Sequence, residues 1–308
     1  MKPLIRALLL LLLLSQIAFA QDNYSKGELK EINGTKLFVK TMGKGEPIVL
    51  VHGGPGLNYL YFLPQFKELA KHYKLIFYDQ RASGKSSADV DSSSITMDNF
   101  VKDLEGIRKL FGLKKMNLFG HSWGGLVAMY YAFRYPQNLK SLVLSNTTPA
   151  SSLYRDAIFF TLSHRATKKE GEEYRKITST KGYKDKDPVV LAKFYKILFA
   201  PSFYNKKYID SLNIILPPDN EKKNKLLSLL PLFKYDITGQ LQFIKCPTLI
   251  ITGDYDIMPP KANISIHKNI INSKLVTLKN CGHFPFVEDK HKYFKVLEDF
   301  LASLNNKK

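Results

Sequence analysis

Short apolar runs alternate along the chain with segments whose apolar residues recur three and four positions apart. The runs cover 29–32 (LKEI), 35–42 (TKLFVKTM), 47–53 (PIVLVHG), 74–80 (KLIFYDQ), 115–121 (KMNLFGH), 141–147 (SLVLSNT), 248–253 (TLIITG) and 274–280 (KLVTLKN). Each reads as a β-strand. The first two flank Asn33-Gly34, a pair that favours a tight hairpin. The later runs are apolar at odd and even positions alike, as in strands covered on both faces. Between them YFLPQFKELAKH, ITMDNFVKDLEGIRKLFG, WGGLVAMYYAFRYP and EDKHKYFKVLEDFLASL carry the helical period. The alternation predicts an α/β fold, a mostly parallel eight-stranded sheet flanked by helices.

The rhythm fails from about 151 to 235, a stretch rich in Tyr, Phe and Lys that lacks good strands. It reads as a helical cap over the carboxyl edge of the sheet, inserted between a first core segment, 21–150, and a second, 236–308. Aromatic residues of the cap such as Phe159 and Phe199 could line an apolar pocket, but individually they read as cap packing.

Residues 1–20, MKPLIRALLLLLLLSQIAFA, have a different character. Lys2 and Arg6 precede an apolar run, and Ala18-Phe19-Ala20 supplies a small-x-small cleavage pattern. This predicts a signal peptide cut before Gln21, and a periplasmic or extracellular protein. The alternative is an uncleaved anchor, but the apolar run is shorter than the roughly 20 residues of a membrane span. No cysteine follows the cleavage site to suggest a lipid anchor.

With 44% hydrophobic and 24% charged residues among 308, the chain is globular in composition and long enough to bury a large core. Its formal charge is +19, or +17 once Lys2 and Arg6 are removed. The excess is mostly Lys scattered along the chain, with no basic stripe interleaved with aromatics, so a solvated surface is expected rather than a nucleic-acid partner. Membrane contact is expected only through the signal peptide. Cys246 precedes one strand candidate and Cys281 follows the next. If those strands are parallel, the thiols lie at opposite ends of the sheet, about 20 Å apart, too far for a disulfide.

Gly120-His121-Ser122-Trp123-Gly124 lies where the 115–121 strand gives way to a helix. In an open parallel sheet ligands bind beyond the carboxyl ends of the strands. A Gly-x-Ser-x-Gly turn holds its serine there on a sharp bend, with the positive end of the helix behind it. Gly120 and Gly124 leave the room that the bend needs. A serine nucleophile requires a base and the base an orienting acid, in the order Ser, acid, His for this topology. Downstream, TLIITGDYDIMPP ends a strand with Asp254 and Asp256, and LKNCGHFPFVED ends the next with His283. The expected catalytic set is Ser122, Asp256 and His283, with Asp254 the alternative acid. The remaining histidines carry no such pattern: His52 lies in a turn, His121 beside the nucleophile, and His72, His164, His267 and His291 on Lys-rich helical faces. VLVHGGPGLNY ends another strand, and the Gly54 and Trp123 N–H groups are the expected oxyanion donors.

HGGPG, DQRASGKS, GHSWGG, GDYD and GHFPFVED, in this order and spacing, resemble the α/β-hydrolase superfamily, in particular its proline iminopeptidase-like serine peptidases. The resemblance covers about 28–150 and 236–303, with the cap matching in position only. It implies the α/β-hydrolase fold, the Ser122/Asp256/His283 triad, the Gly54 and Trp123 oxyanion hole, and release of an N-terminal residue, often proline, from short peptides. It implies no metal and no organic cofactor. Two departures stand out. Ala82 replaces the glycine of the family's DQRG, and the cap glutamates that bind the substrate amine have no clear match. By position the site falls near Lys225, which makes Glu221 the candidate; Glu172 and Glu173 read as a solvated helical face.

The serine excludes the related dehalogenases and epoxide hydrolases, which use an aspartate at this position. Gly84-Lys85-Ser86 imitates a phosphate-binding loop but lacks its first glycine, Asp79 standing there. Asn33-Gly34-Thr35 fits a glycosylation acceptor, yet lies in the predicted hairpin. Three functions follow: an exported aminopeptidase for short peptides, an esterase or amidase for small apolar substrates, and a silent binding protein on the same fold, against which the complete triad argues.

Overall fold

The structure, a computed structural model, describes residues 27–230 and 234–304. The signal peptide read at 1–20 lies outside the described residues. Eight strands form one sheet: β1 (Glu28–Ile32), β2 (Thr35–Met42), β3 (Glu46–Val51), β4 (Tyr73–Tyr78), β5 (Met116–His121), β6 (Leu139–Ser145), β7 (Thr248–Gly253) and β8 (Ser273–Leu278). Their spatial order is β1-β2-β4-β3-β5-β6-β7-β8. The β1/β2 and β2/β4 pairs are antiparallel, and every pair from β4/β3 to β7/β8 is parallel. Asn33 and Gly34, both at positive φ (48° and 72°), close the first hairpin, the geometry a two-residue turn between twisted strands requires.

Ten helices accompany the sheet among the described residues: α1 (Met97–Leu110), α2 (Trp123–Arg134), α3 (Arg155–Arg165), α4 (Lys168–Ser179), α5 (Lys181–Lys184), α6 (Pro188–Phe199), α7 (Asn220–Leu227), α8 (Pro260–Asn269), α9 (Pro285–Glu288) and α10 (Lys290–Ser303). The apolar residues of both parities divide between two layers. Val49 and Val51 of β3 pack with α1, α2 and α8, whereas Ile48 and Leu50 face Phe62, Phe66, Phe286 and Phe294. One segment departs from its helical reading. YFLPQFKELAKH folds as three 3-10 turns, Tyr59–Phe62, Gln65–Lys67 and Leu69–Lys71. Pro64 offers no N–H to a continuous helix and bars the residue before it from helical geometry. The apolar face survives the interruption, since Tyr61, Phe62, Phe66 and Leu69 are all buried.

Between β6 and β7 the chain leaves the sheet. A bridge pairs Ser151 with Asp236, with Ser152 N–H donating to the Tyr235 carbonyl (2.9 Å) and Ile237 N–H to that of Ala150 (2.8 Å). The two ends of the excursion are thereby pinned side by side, and α3 to α7 lie within it. Neither α3 nor α4 contributes a fully buried residue.

The loops after β3 and β4 are tied to each other beneath this excursion. The Gln80 backbone N–H donates to His52 Nε2 (3.0 Å), which leaves the ring proton on Nδ1, facing the Gly53 carbonyl at 2.7 Å. The Gln80 side chain donates to the His52 carbonyl (2.6 Å) and accepts from the Trp123 indole (2.9 Å). Asp79 accepts from the Tyr59 and Lys85 amides, and Gly84 is pressed so close that a Cβ there would strike the Asp79 carboxylate. Arg81, 2% exposed, meets both oxygens of Asp103 at 2.6 and 2.7 Å. Breaking such a buried pair from one side costs about 3–5 kcal/mol. The loop thus keeps its place although Ala82, at φ 54°, stands where the family has glycine.

Burial pushes His52 down to about 4 and Asp79 up to about 6. His52 is therefore neutral in the folded chain while its unfolded counterpart takes a proton near pH 6.5. Its contribution to stability is present at neutral pH and is lost as pH falls from about 6.5 to 4, a change of about 3 kcal/mol. Asp79 acts in the opposite sense, because the folded state takes its proton first below about pH 6. His52→Gln removes only the first effect. Urea unfolding from pH 7 to 4 should show the variant losing about 3 kcal/mol less than the wild type, and identical pH dependences would contradict this account.

Candidate active site

Ser122 sits between β5 and α2 at φ 54°, ψ −124°, a strained conformation for a residue with a side chain. The surrounding backbone holds it there. Its N–H donates to the Ser145 carbonyl (3.1 Å), and its carbonyl accepts from Gly125 (2.9 Å) and Thr148 (3.0 Å). A Cβ on Gly124 would strike the carbonyls of Val51 and His52, and one on Gly120 the backbone of Gly124 and Gly125. Gly124 is therefore needed for α2 to lie directly against the end of β3, and Gly120 for α2 to fold back tightly on the end of β5.

The structure brings His283 and Asp256 to this serine from the loops after β8 and β7. His283 Nε2 lies 3.0 Å from Ser122 Oγ, and His283 Nδ1 lies 2.8 Å from Asp256 Oδ1. An ionised carboxylate can only accept, so Nδ1 carries the ring proton and Nε2 turns its lone pair to the serine hydroxyl. Asp256 Oδ1 also accepts from the Met258 N–H (3.2 Å), and Oδ2 accepts from Asn146 (2.7 Å) and Thr252 (3.2 Å). Burial alone would raise this carboxyl, but His283 and these donors hold it below the usual carboxylate value. Asp254 takes another part. It faces the Cys281 N–H (3.4 Å) and the Lys279 ammonium (3.7 Å), at the turn rather than beside His283.

The backbone of His283 is clamped as well. Its N–H donates to the Ser202 carbonyl (2.8 Å), and its carbonyl lies 2.9 Å from His121 Nε2. A carbonyl accepts only, so His121 carries its proton on Nε2 and its Nδ1 accepts from the Tyr61 hydroxyl (2.8 Å). That hydroxyl in turn accepts from the Gly53 N–H (2.6 Å). One directed chain of hydrogen bonds thus joins the loop after β3, the serine turn and the histidine loop. Burial and the neighbouring His283 push His121 down to about 3, which keeps it neutral. Nothing in the sequence pattern distinguished His121 from a packing residue. Its position beside Ser122 was the only available signal, and its partners come from segments 60 and 162 residues away.

Gly54 and Trp123 flank Ser122 on the wall of a cavity of about 370 Å³. The neighbouring Gly53 amide is already taken by Tyr61. Trp123 is the first residue of α2, and a helix leaves its first N–H groups without an internal acceptor. Gly54, at φ 133°, adopts backbone open to glycine. The cavity wall is mainly apolar, with Leu126, Pro149, Phe159, Phe199 and Met258, and Arg155 supplies a positive charge. Phe199 also packs against Tyr195 and Phe284, whereas Phe159 lines the wall and is otherwise exposed. No carboxylate lines this cavity among the described residues.

Glu221 requires correction as an amine-binding candidate. Asn220, Lys223 and Leu227 form the buried face of α7, and Glu221, one residue beyond Asn220, turns about 100° away. It is exposed, as are Lys225 and the α4 residues Glu172 and Glu173. Cys246 and Cys281 are both free thiols in buried positions. Among the described residues no group of three or more His, Cys, Asp and Glu could hold a metal ion.

Residues 46–290 match the family model for the alpha/beta hydrolase fold. The chain is 32% identical to the proline iminopeptidase of Lactobacillus delbrueckii subsp. bulgaricus over 283 residues, 83% of this chain and 90% of the relative. It is 28% identical to that of Saccharolobus solfataricus over 303 residues, 88% and 91% of the two chains. Among solved structures, the proline iminopeptidase of Mycobacterium smegmatis superposes with a TM-score of 0.65 at 18% identity, covering 91% of this chain and 98% of that one. A thermophilic esterase from Thermogutta terrifontis superposes at 0.68 with 23% identity, covering 91% and 99%; likenesses at these identities speak for the fold. The chain belongs to the α/β hydrolase fold family, in its proline iminopeptidase-like branch, and is a serine hydrolase.

Proposed function

We propose that Ser122, His283 and Asp256 form a catalytic triad, and that the chain is an aminopeptidase releasing N-terminal proline or another small apolar residue from short peptides. The observation that carries the reading is the hydrogen-bonded line from Asp256 through His283 to Ser122, which ends in an apolar cavity. Similarity to proline iminopeptidases over nine-tenths of a relative's length directs it to prolyl substrates.

In this reading His283 Nε2 takes the proton from Ser122 Oγ as the oxygen attacks the scissile carbonyl. Asp256 stabilises the imidazolium, and the Gly54 and Trp123 N–H groups receive the oxyanion. Collapse of the tetrahedral species breaks the carbonyl–nitrogen bond, and His283 returns the proton to the leaving amine. Water, deprotonated by the same histidine, then releases the acyl group. Neutral His121 adds no charge to oppose the imidazolium while it holds the His283 backbone.

A second reading is an esterase or amidase for small apolar acyl groups. One observation favours it: among the described residues the cavity wall carries Arg155 and no carboxylate to meet a free amine. The leader-like residues 1–20 support export, so the enzyme acts outside the cytoplasm in either reading.

Ser122→Ala and Asp256→Asn should each lower kcat/KM by about 10³–10⁴-fold or more while circular dichroism stays unchanged. Full activity in Ser122→Ala would remove the mechanism. Prolyl and alanyl p-nitroanilides with free and with acetylated amino groups, assayed beside p-nitrophenyl acetate, decide between the two readings. The aminopeptidase turns over the free-amine amides and rejects the acetylated ones; indifference to acetylation, or turnover of the ester alone, selects the esterase. N-terminal sequencing of the mature protein should begin at Gln21, and retention of Met1 would refute cleavage.

A further inference from the structure

The cavity at Ser122 has a neighbour. A second cavity of about 570 Å³ lies between α3, α4 and α6, and Phe159, Phe199 and Ile257 belong to the walls of both. These three side chains form the partition. Beyond it the wall is almost wholly apolar, with Leu162, Ala166, Tyr174, Ile197 and Leu198 prominent. The one carboxylate there among the described residues, Glu170, is engaged by the Lys206 ammonium at 2.7 Å and by the Thr167 N–H at 2.7 Å, so it presents no free charge to a ligand. Each chamber falls within the roughly 300–1,000 Å³ typical of small-molecule pockets.

A single prolyl or alanyl residue next to the scissile bond needs only the near chamber. The far one offers hydrogen-bonding water almost nothing, and burial of hydrocarbon there is favoured by about 25 cal/mol per Å² removed from water. We propose that the two chambers form one binding track, and that the enzyme has a further activity on esters or amides carrying a linear hydrocarbon chain. The reacting carbonyl sits at Ser122, and the chain passes Phe159, Phe199 and Ile257 into the far chamber. This rests on the serine mechanism above but on neither choice of peptide or ester. The chemistry is unchanged: the Ser122 oxygen bonds to the carbonyl carbon, the alcohol or amine leaves with the proton from His283, and water releases the acid.

Gly171 provides the test. It lies in α4 on the far wall, and a Cβ there meets nothing nearer than the Arg175 guanidinium at 3.8 Å. A side chain at 171 therefore costs the backbone nothing, and replacing glycine favours the helix. The assay measures kcat/KM for p-nitrophenyl esters from butanoate to decanoate, below their micellar concentrations, and for acetates of the matching linear alcohols. In one of the two series it should rise by about two- to fourfold per methylene. Gly171→Trp and, independently, Leu162→Trp should cut the longest substrate of that series by about tenfold or more, leave the shortest within about twofold, and Gly171→Ala should keep the wild-type profile. Flat profiles in both series with Ser122-dependent turnover would overturn the track alone, as would tryptophan variants that lower short and long substrates equally. Turnover that survives Ser122→Ala would instead overturn the mechanism beneath it.

Discussion

The architecture turns on one close approach, the backbone of Gly124 resting on the carbonyls of Val51 and His52. It sets the start of α2 against the end of β3, and so fixes where Ser122 stands relative to the loop that follows that strand. A strained φ at Ser122 is tolerable because hydrogen bonds to Ser145, Gly125 and Thr148 determine it from both sides. The same geometry places Trp123 at the helix start, next to the serine, and lets its indole reach Gln80 across the sheet top. Enlarging Gly124 would therefore disturb Ser122, its neighbour's N–H and the β3 loop together.

Much of this was legible in the sequence because it depends on local pattern. Strands buried on both faces show as runs apolar at both parities, and every parallel strand found in the sheet coincides with such a run to within a residue or two. Asn33-Gly34 specified its hairpin because few other pairs adopt two successive positive φ values cheaply. The segment at 61–72 keeps a helical apolar spacing although Pro64 forbids a continuous helix there. Asp256 and Asp254 could not be separated by position, since both end the same strand; only the tertiary fold, in which His283 and Asn146 meet one and Lys279 the other, distinguishes them.

What the chain pattern hid was long-range and polar. The Gly53–Tyr61–His121–His283 relay joins three segments, and no periodicity records such a path. The cap resembles its relatives in position only, and helical phase places Glu221 on the exposed side of α7, outside the cavity. The cavity itself is mainly apolar, a wall assembled from seven separate stretches of chain. The chemistry of the reaction is thus written in short motifs, whereas the choice of substrate is written in side chains that touch only after folding.

The excursion carrying α3 and α4 is joined to the sheet at the paired stretches around Ser151 and Asp236, and those two helices bury no residue fully. Substitutions on them therefore forfeit little folding free energy, while Phe159, Leu162 and Tyr174 remain within reach of a bound molecule. Selection can rewrite this roof at small risk to the sheet below. A lineage can in this way change its diet while keeping its hydrolytic engine, with the short bridge at 151 and 236 as the seam between the part constrained by packing and the part that packing leaves tolerant.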